Sequence, residues 1–251
     1  MKKRLVIKIG SDVLTTENGL SSDRINSLSK EISEIKNLGF DIILVSSGAI
    51  ASGTKITGLL KRPREIAEKR ALASVGQFYL MEAWIKAFQP VLVAQILLTW
   101  DDLSNEERKL KARETLLKIL KRDIINENDA VADEEIRFSD NDQLALKVAK
   151  LIHAERLVFL TDVDGLFSKN PKHNNSAKLM TKVVKVDTKI RSMVEETKSD
   201  NGLGGMISKI NIAEEALESD IKTNILNGEK NNLLLALIKD NKNLGTEFSR
   251  L

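Results

Sequence analysis

Four short apolar runs constrain the fold most tightly: residues 5–9, 41–46, 91–98 and 156–160, each rich in Val, Ile and Leu. Their length and make-up are those of strands buried on both faces of a parallel sheet. Between the first two runs, Ile25, Leu28, Ile32, Ile35 and Leu38 recur at helical spacing, with Asp23 near the start and Gly39 just past the end. That pattern predicts a helix with its start and stop signals in place. Ser104 with Glu107 predicts a capping box for a helix running towards Lys121. Asp140-Asn141-Asp142 opens another helix, carrying Leu144, Leu146, Val148 and Leu151, and Gly204-Gly205 opens a third, through Ile210, Ala213 and Leu217. Strand–helix alternation over the whole length predicts one α/β domain, residues 1–251, with a mainly parallel sheet covered by helices.

Composition removes several chemistries. The chain has no cysteine, which excludes a disulfide scaffold, a thiolate metal site and a cysteine nucleophile. Its 39 basic and 36 acidic residues are interspersed, and aromatics make up only 4%, a pattern of solvated surface rather than of a nucleic-acid stripe. The densest basic stretch, around Lys61, Arg64 and Lys69, is broken by Glu65 and Glu68 and reads as a helix start. No segment has the roughly 18 consecutive apolar residues of a membrane span, and Lys8 interrupts the apolar run after the basic N-terminus, so a cytoplasmic protein is expected. There is no Gly-Lys pair for a Walker A loop, no G-x-G-x-x-G and no G-x-S-x-G elbow. His153 reads as a helix C-terminal residue and His173 as a loop residue, too far apart in pattern to suggest a metal pair.

In open α/β sheets the chemistry gathers where strands end and helices begin, and four such junctions break local rules. Lys8-Ile9-Gly10-Ser11 places a lysine inside an apolar strand; its ammonium either meets an anion or snorkels from an edge strand. Val45-Ser46-Ser47-Gly48-Ala49 runs a strand into a small-residue turn that frees N–H groups and hydroxyls. Asn126-Glu127-Asn128-Asp129 and Asp140-Asn141-Asp142 form two polar clusters, too close together to be assigned to capping alone. Thr161-Asp162, then Asp164-Gly165, follow the fourth run, and the segment 202–209 pairs glycines at a helix start with Lys209 one turn in, a pattern suited to phosphate oxygens.

Together these junctions resemble the amino acid kinase family, and within it the branch that phosphorylates the side-chain carboxylate of glutamate. The matching stretches are Lys8-Ile9-Gly10-Ser11 with Val13-Leu14-Thr15, Ser46-Ser47-Gly48-Ala49-Ile50, Ala73-Ser74-Val75-Gly76-Gln77, Gln95-Ile96-Leu97-Leu98-Thr99, residues 126–132, Asp140-Asn141-Asp142, Leu160-Thr161-Asp162-Val163-Asp164-Gly165-Leu166 and Gly204-Gly205-Met206-Ile207-Ser208-Lys209. They occur in the family's order over nearly the whole chain. The resemblance implies a three-layer α/β/α sandwich with a mainly parallel central sheet. It divides the chain into a glutamate-binding part of about residues 1–150 and an ATP-binding part of about residues 151–251.

The resemblance further implies transfer of the γ-phosphoryl group of ATP to L-glutamate, with Mg2+ carried by the nucleotide. Lys8 and Lys209 match the lysines that stabilise the transferring phosphoryl group, and Asp142 the aspartate that organises them. Ser47, Gly48, Asp129 and Asn141 match the acceptor-binding positions. Lys8, Thr161, Asp162 and the loop of Leu203, Gly204, Gly205, Met206, Ile207, Ser208 and Lys209 match the nucleotide site. Proline as feedback inhibitor and a homo-oligomer, dimer or tetramer, follow as expectations, with neither nucleic acid nor membrane as a partner. The alternatives are another member of the family, an acetylglutamate, aspartate or uridylate kinase, whose first loop more often reads Gly-Gly after the lysine and which lacks the Asn126-Glu127-Asn128-Asp129 segment, and a non-catalytic sensor on the same fold, which would have lost the two lysines. Leu203 stands where the family usually has threonine, Ser139 replaces a glycine, and the apolar stub before Asn126 is short. The chain stops just after Gly245-Thr246-Glu247-Phe248, which resembles the end of the kinase domain, so a further C-terminal domain of the PUA type is not expected.

Overall fold

The computed structural model describes residues 3–61, 63–120, 141–169, 171, 174, 176–195 and 205–250. Among these residues six strands form one sheet in the order β4-β1-β5-β7-β8-β6. The strands are β1 (Arg4–Ile9), β4 (Asp41–Ser46), β5 (Arg156–Thr161), β6 (Lys182–Val183), β7 (Lys222–Asn227) and β8 (Thr246–Phe248), with β2 (Thr15–Thr16) and β3 (Gly19–Leu20) as a separate hairpin. β4, β1, β5 and β7 run parallel, and β8 turns back against β7. The helices are α1 (Ser11–Leu14), α2 (Ser22–Asn37), α3 (Ala49–Ile56), α4 (Ile66–Phe88), α5 (Trp100–Ser104), α6 (Glu106–Ile119), α7 (Asn141–Leu151), α8 (Thr188–Glu195), α9 (Met206–Glu218) and α10 (Leu233–Lys239).

Alternation along the strands sorts the core into two layers. In β1, Leu5, Ile7 and Ile9 join the layer built from α2, α3, α4 and α10, whereas Val6 joins the layer built from α7 and α9. In β5, Val158 and Leu160 face the first layer, and Leu157 and Phe159 the second. Period-two geometry therefore turns Lys8 towards α7 and α9. β1 lies between β4 and β5, so Lys8 stands in a central strand and not on an edge. β1 connects through α2 to β4 on one side, while β5 leads to β7 on the other; that divergence between adjacent parallel strands is where such sheets bind ligands.

The helix over the first layer starts at the Ser21 cap, whose hydroxyl accepts from the Arg24 N–H, and stops before Gly39 at φ +90°, as its spacing predicts. Two expectations need correction. Residues 91–98 form no ladder with any described strand. Val91 and Val93 pack against one core layer and Ile96 and Leu98 against the other, while Leu92 and Leu97 stay exposed, so the run divides part of its apolar surface between the two layers without pairing to a described strand. Ser104 is the last residue of α5 and does not cap α6. Asn105 caps α6 by accepting from the Arg108 N–H, and the reciprocal capping box belongs to Thr99 and Asp102 at the start of α5. A threonine hydroxyl with an acidic residue three positions on makes the same bonds as the serine–glutamate pair, so sequence pattern alone misplaced the box. Nearby stretches 121–140 and 196–204, which hold Asn126 to Asp129, Ser139, Asp140, Leu203 and Gly204, lie outside the described residues, as does His173.

α3 and α4 touch backbone to backbone. A Cβ on Gly76 would lie 1.9 Å from the Ala49 carbonyl oxygen, and one on Gly53 would lie 2.0 Å from that of Leu72. This crossing fixes the first residue of α3, and with it the Ser47-Gly48 turn. Gly76→Ala is therefore expected to lower stability by about 1–3 kcal/mol in urea unfolding, while Ser74→Ala on the exposed face of the same helix leaves the midpoint nearly unchanged.

Candidate active site

Three charged side chains from three elements meet at the carboxyl end of the sheet. Lys8 Nζ of β1 lies 2.7 Å from Asp142 Oδ1, and Lys209 Nζ of α9 lies 2.9 Å from Asp142 Oδ2. The three side chains are nearly buried, at 10%, 4% and 12% exposure for Lys8, Asp142 and Lys209. Asp142 stands in the first turn of α7 and Lys209 in the first turn of α9, so both helices start at the reaction end of the sheet. Phe159, the register partner of Lys8 in β5, lies beneath with its ring centroid 6.0 Å from Lys209 Nζ.

Electrostatics keep this cluster charged. Burial opposes ionisation of Asp142, but the charges of Lys8 and then Lys209, with the hydrogen bonds both donate, outweigh it and hold the carboxyl below its ordinary range. The cluster carries one surplus positive charge. Each ammonium has three donors, and Lys209 gives one to Asp142 while Lys8 pairs with its other oxygen, so both lysines keep donors for the oxygens of an anion. Such an arrangement suits the three oxygens of a phosphoryl group better than a structural salt bridge, which would balance its charges.

On the β4 side the small-residue turn is tied down from three directions. The Ser47 N–H donates to the Ile9 carbonyl, extending the β1–β4 ladder. Asn141 Nδ2 donates to Ser47 Oγ at 3.1 Å and to the Ser46 carbonyl at 3.5 Å. Trp84 Nε1 donates to Ser46 Oγ, which in turn donates to the Ser47 carbonyl, each at 3.1 Å. Gly48, at φ +116°, lets the chain turn from β4 directly into α3, a conformation that strains any other residue. Trp84 was not legible as part of this site: in the sequence it is one apolar side chain among many, and only its indole N–H marks it.

On the β5 side Thr161 Oγ1 donates to Asp162 Oδ1 at 3.0 Å, and the Gly228 N–H after β7 donates to the Thr161 carbonyl. Asp164 accepts from Lys230 Nζ at 2.6 Å and from Asn227 Nδ2 at 2.9 Å. The Lys230 bond, working against burial and aided by Asn227, holds the Asp164 carboxyl below its ordinary range. Gly205 precedes α9 as its N-cap, and Met206, Ile207, Ser208 and Lys209 form that helix's first turn. The structure thus brings Lys8, Asp142 and Lys209 into contact, and Asn141 onto Ser47. It places Thr161 and Asp162 at the end of the neighbouring strand. Asp129, Leu203 and Gly204 are outside the described residues.

Two lysines thus meet one aspartate where a parallel sheet ends, beside a glycine-led helix, and comparison with known proteins gives the class of protein: residues 3–227 match the amino acid kinase family. The chain belongs to that family. Glutamate 5-kinase of Syntrophotalea carbinolica is 42% identical over 251 residues, covering 98% of this chain and 67% of that protein. Glutamate 5-kinase of Clostridium acetobutylicum is 41% identical, covering 98% of this chain and 94% of that protein. The chain thus spans about two thirds of the former's length and nearly all of the latter's. Among solved structures, the UMP kinase of Bacillus anthracis superposes with a TM-score of 0.64 at 16% identity, covering 98% of this chain and 96% of that one, which shows the shared fold.

The depressed Asp142 carboxyl sets a pH dependence of stability. A group whose folded pKa lies below its unfolded value, near 3.9, contributes stability that is fully present above that value and is lost as pH falls through the folded one. The stability gap between the wild type and Asp142→Asn is therefore expected to be constant from pH 7 to about 5 and to narrow below about pH 4, as read by urea unfolding.

Proposed function

We propose that the protein transfers the γ-phosphoryl group of ATP to the side-chain carboxylate of L-glutamate, forming L-glutamyl 5-phosphate, the first step of proline biosynthesis. The observation that carries this reading is the Lys8–Asp142–Lys209 cluster, joined to curated glutamate 5-kinases about 40% identical over almost the whole chain.

The acceptor carboxylate, with a reference pKa near 4.3, is ionised at neutral pH, so no general base is needed. ATP and glutamate are both anions and repel each other, and the site's task is alignment and positive charge. Lys8 and Lys209 donate to the oxygens of the γ-phosphoryl group as it passes from the β-phosphate oxygen to the glutamate oxygen. Asp142 holds both ammonium groups on one side of that path and offsets their like charge in a buried setting. Mg2+ carried by the nucleotide would neutralise charge on the phosphate oxygens; Asp142 has both oxygens on lysines and is not offered to it.

Ser47, the Gly48 turn and Asn141, with Asp129, bind the glutamate. Thr161, Asp162 and the residues from Leu203 to Lys209 bind the nucleotide. In this reading residues 1–150 hold the acceptor and residues 151–251 the donor, and the cluster joins the two, since Lys8 and Asp142 belong to the first part and Lys209 to the second. L-proline, which shares the α-amino and carboxylate pattern of glutamate, competes at the same turn as feedback inhibitor. α4 keeps Val75, Phe78, Tyr79 and Ile85 exposed on one flank, which supports assembly as a homo-oligomer. No helix among the described residues is long and apolar enough to cross a membrane, and a cytoplasmic enzyme is the matching proposal.

The deciding assay incubates the protein with Mg-ATP and hydroxylamine and, in separate arms, L-glutamate, L-aspartate, N-acetyl-L-glutamate or UMP. Hydroxamate and ADP formed with glutamate are expected; turnover with another acceptor alone contradicts the proposal. Lys8→Ala and Lys209→Ala are each expected to lower the glutamate-dependent rate on the order of 10²–10³-fold, comparable to removing one donor from a charge-stabilising site, with circular dichroism unchanged. Near-normal rates in either variant would remove that lysine from the mechanism.

A further inference from the structure

At the carboxyl end of β7 the chain turns through residues 228–232 into α10, and this turn is held at nearly every residue. The Gly228 N–H bonds to the Thr161 carbonyl, and the Glu229 N–H to Asn227 Oδ1 at 2.9 Å. Arg24 Nη2 of α2 donates to the Lys230 carbonyl at 3.1 Å, and Nη1 donates to Asn231 Oδ1, which also accepts from Ser27 Oγ. Glu31 Oε1 accepts from the Asn232 N–H at 2.9 Å and Oε2 from the Leu235 N–H at 3.2 Å. Arg24 and Glu31 are only 9% and 3% exposed and approach each other no closer than 4.0 Å. Two charges have thus been taken out of water chiefly to grip one turn.

This turn presents two long charged side chains, Glu229 and Lys230, of which Glu229 acts on the Arg24 guanidinium and Lys230 is the cation. Its side chain is 56% exposed and its ammonium rests on Asp164, which Asn227 also holds. Strand register pairs Asn227 with Thr161, and alternation turns both towards the layer that Lys8 and Phe159 face. The Asn227–Asp164–Lys230 node therefore adjoins Thr161 and Asp162 at the rim of the donor side. An exposed ion pair adds little stability, and a buried two-residue clamp is far more than its support requires. The clamp makes sense if Lys230 must be delivered to a fixed point. The charge balance says what waits there: the buried cluster has one surplus positive charge, all of it directed at the transferring phosphoryl group, while the rest of a nucleoside triphosphate brings further anionic oxygens.

We propose that Lys230 is a further nucleotide-binding residue, whose ammonium leaves Asp164 for a non-bridging oxygen of the α- or β-phosphate when ATP binds, and that Arg24 and Glu31 are positioning residues that hold its loop. This rests on the ATP-dependent reading above. Lys230 is exposed, so its variants keep the fold. In the hydroxamate assay Lys230→Ala is expected to raise the KM for Mg-ATP about tenfold, in line with loss of one charge-assisted hydrogen bond, with kcat and the KM for glutamate changed less than twofold, and Lys230→Arg to restore most of the loss. Glu31→Gln, checked for an unchanged fold, is expected to raise the KM for ATP in the same way without moving that for glutamate. An unchanged KM for ATP in Lys230→Ala, in an active enzyme, overturns the proposal. Titration of ADP and of adenosine into the wild type and Lys230→Ala decides it independently of turnover. Weaker ADP binding with adenosine binding unaltered supports a phosphate contact, and equal ADP affinity refutes it. Absence of glutamate-dependent turnover in the wild type would instead refute the proposed function.

Discussion

One buried carboxylate holding two ammonium groups is the interaction on which the rest of the site depends. Asp142 pairs with the Lys8 ammonium through one oxygen and accepts from Lys209 on the other. Without the aspartate, two like charges would face each other in a nearly buried space, where their repulsion is poorly screened and their desolvation uncompensated. Without the lysines, the aspartate would be a buried anion with its charge opposed by burial alone. The three therefore offset one another's burial as a set, and the set has a surplus positive charge facing the sheet's carboxyl edge.

The fold supplies what brings the set together. β1 is central, so Lys8 cannot reach water along an edge and must find its partner in the layer above. α7 and α9 pack in that layer and both begin at the carboxyl edge, which brings an aspartate and a lysine from their first turns over the end of β1. On the other side of the sheet the glycine-mediated crossing of α3 and α4 fixes the Ser47 turn, and α2 grips the turn after β7. Each layer thus holds one border of the same edge.

How much of this was legible in the sequence depends on whether a residue's role is local. Lys8 stood out because a lysine in a run of Val, Leu and Ile breaks a local rule, and α2 followed from its apolar spacing with Asp23 near the start and a glycine stop, although the cap itself is Ser21. β7 and β8 gave no such signal: Asn224 and Thr246 are completely buried polar residues, satisfied by tertiary partners that no window of sequence contains. Residues 91–98 gave a false one, since an apolar run packed between two layers has the composition of a strand without its pairing. The contact of Asp142 with Lys209 spans 67 residues and that of Arg24 with Asn231 spans 207, so the first was available only through resemblance and the second not at all. Trp84 shows the same limit, because its apolar body explains its position in α4 while its single donor explains its place at the site.

The central claim is that Asp142 acts by aiming Lys8 and Lys209 at the transferring phosphoryl group. It is tested most directly by steady-state kinetics of Asp142→Asn, with ATP and glutamate varied in turn and the folded fraction verified at the assay pH. The account predicts a fall in kcat on the order of 10²-fold or more, with both KM values within a few-fold of the wild type, because the lysines lose their aim while the binding turns remain. A variant with wild-type kcat, or one in which only the KM values change, would contradict it.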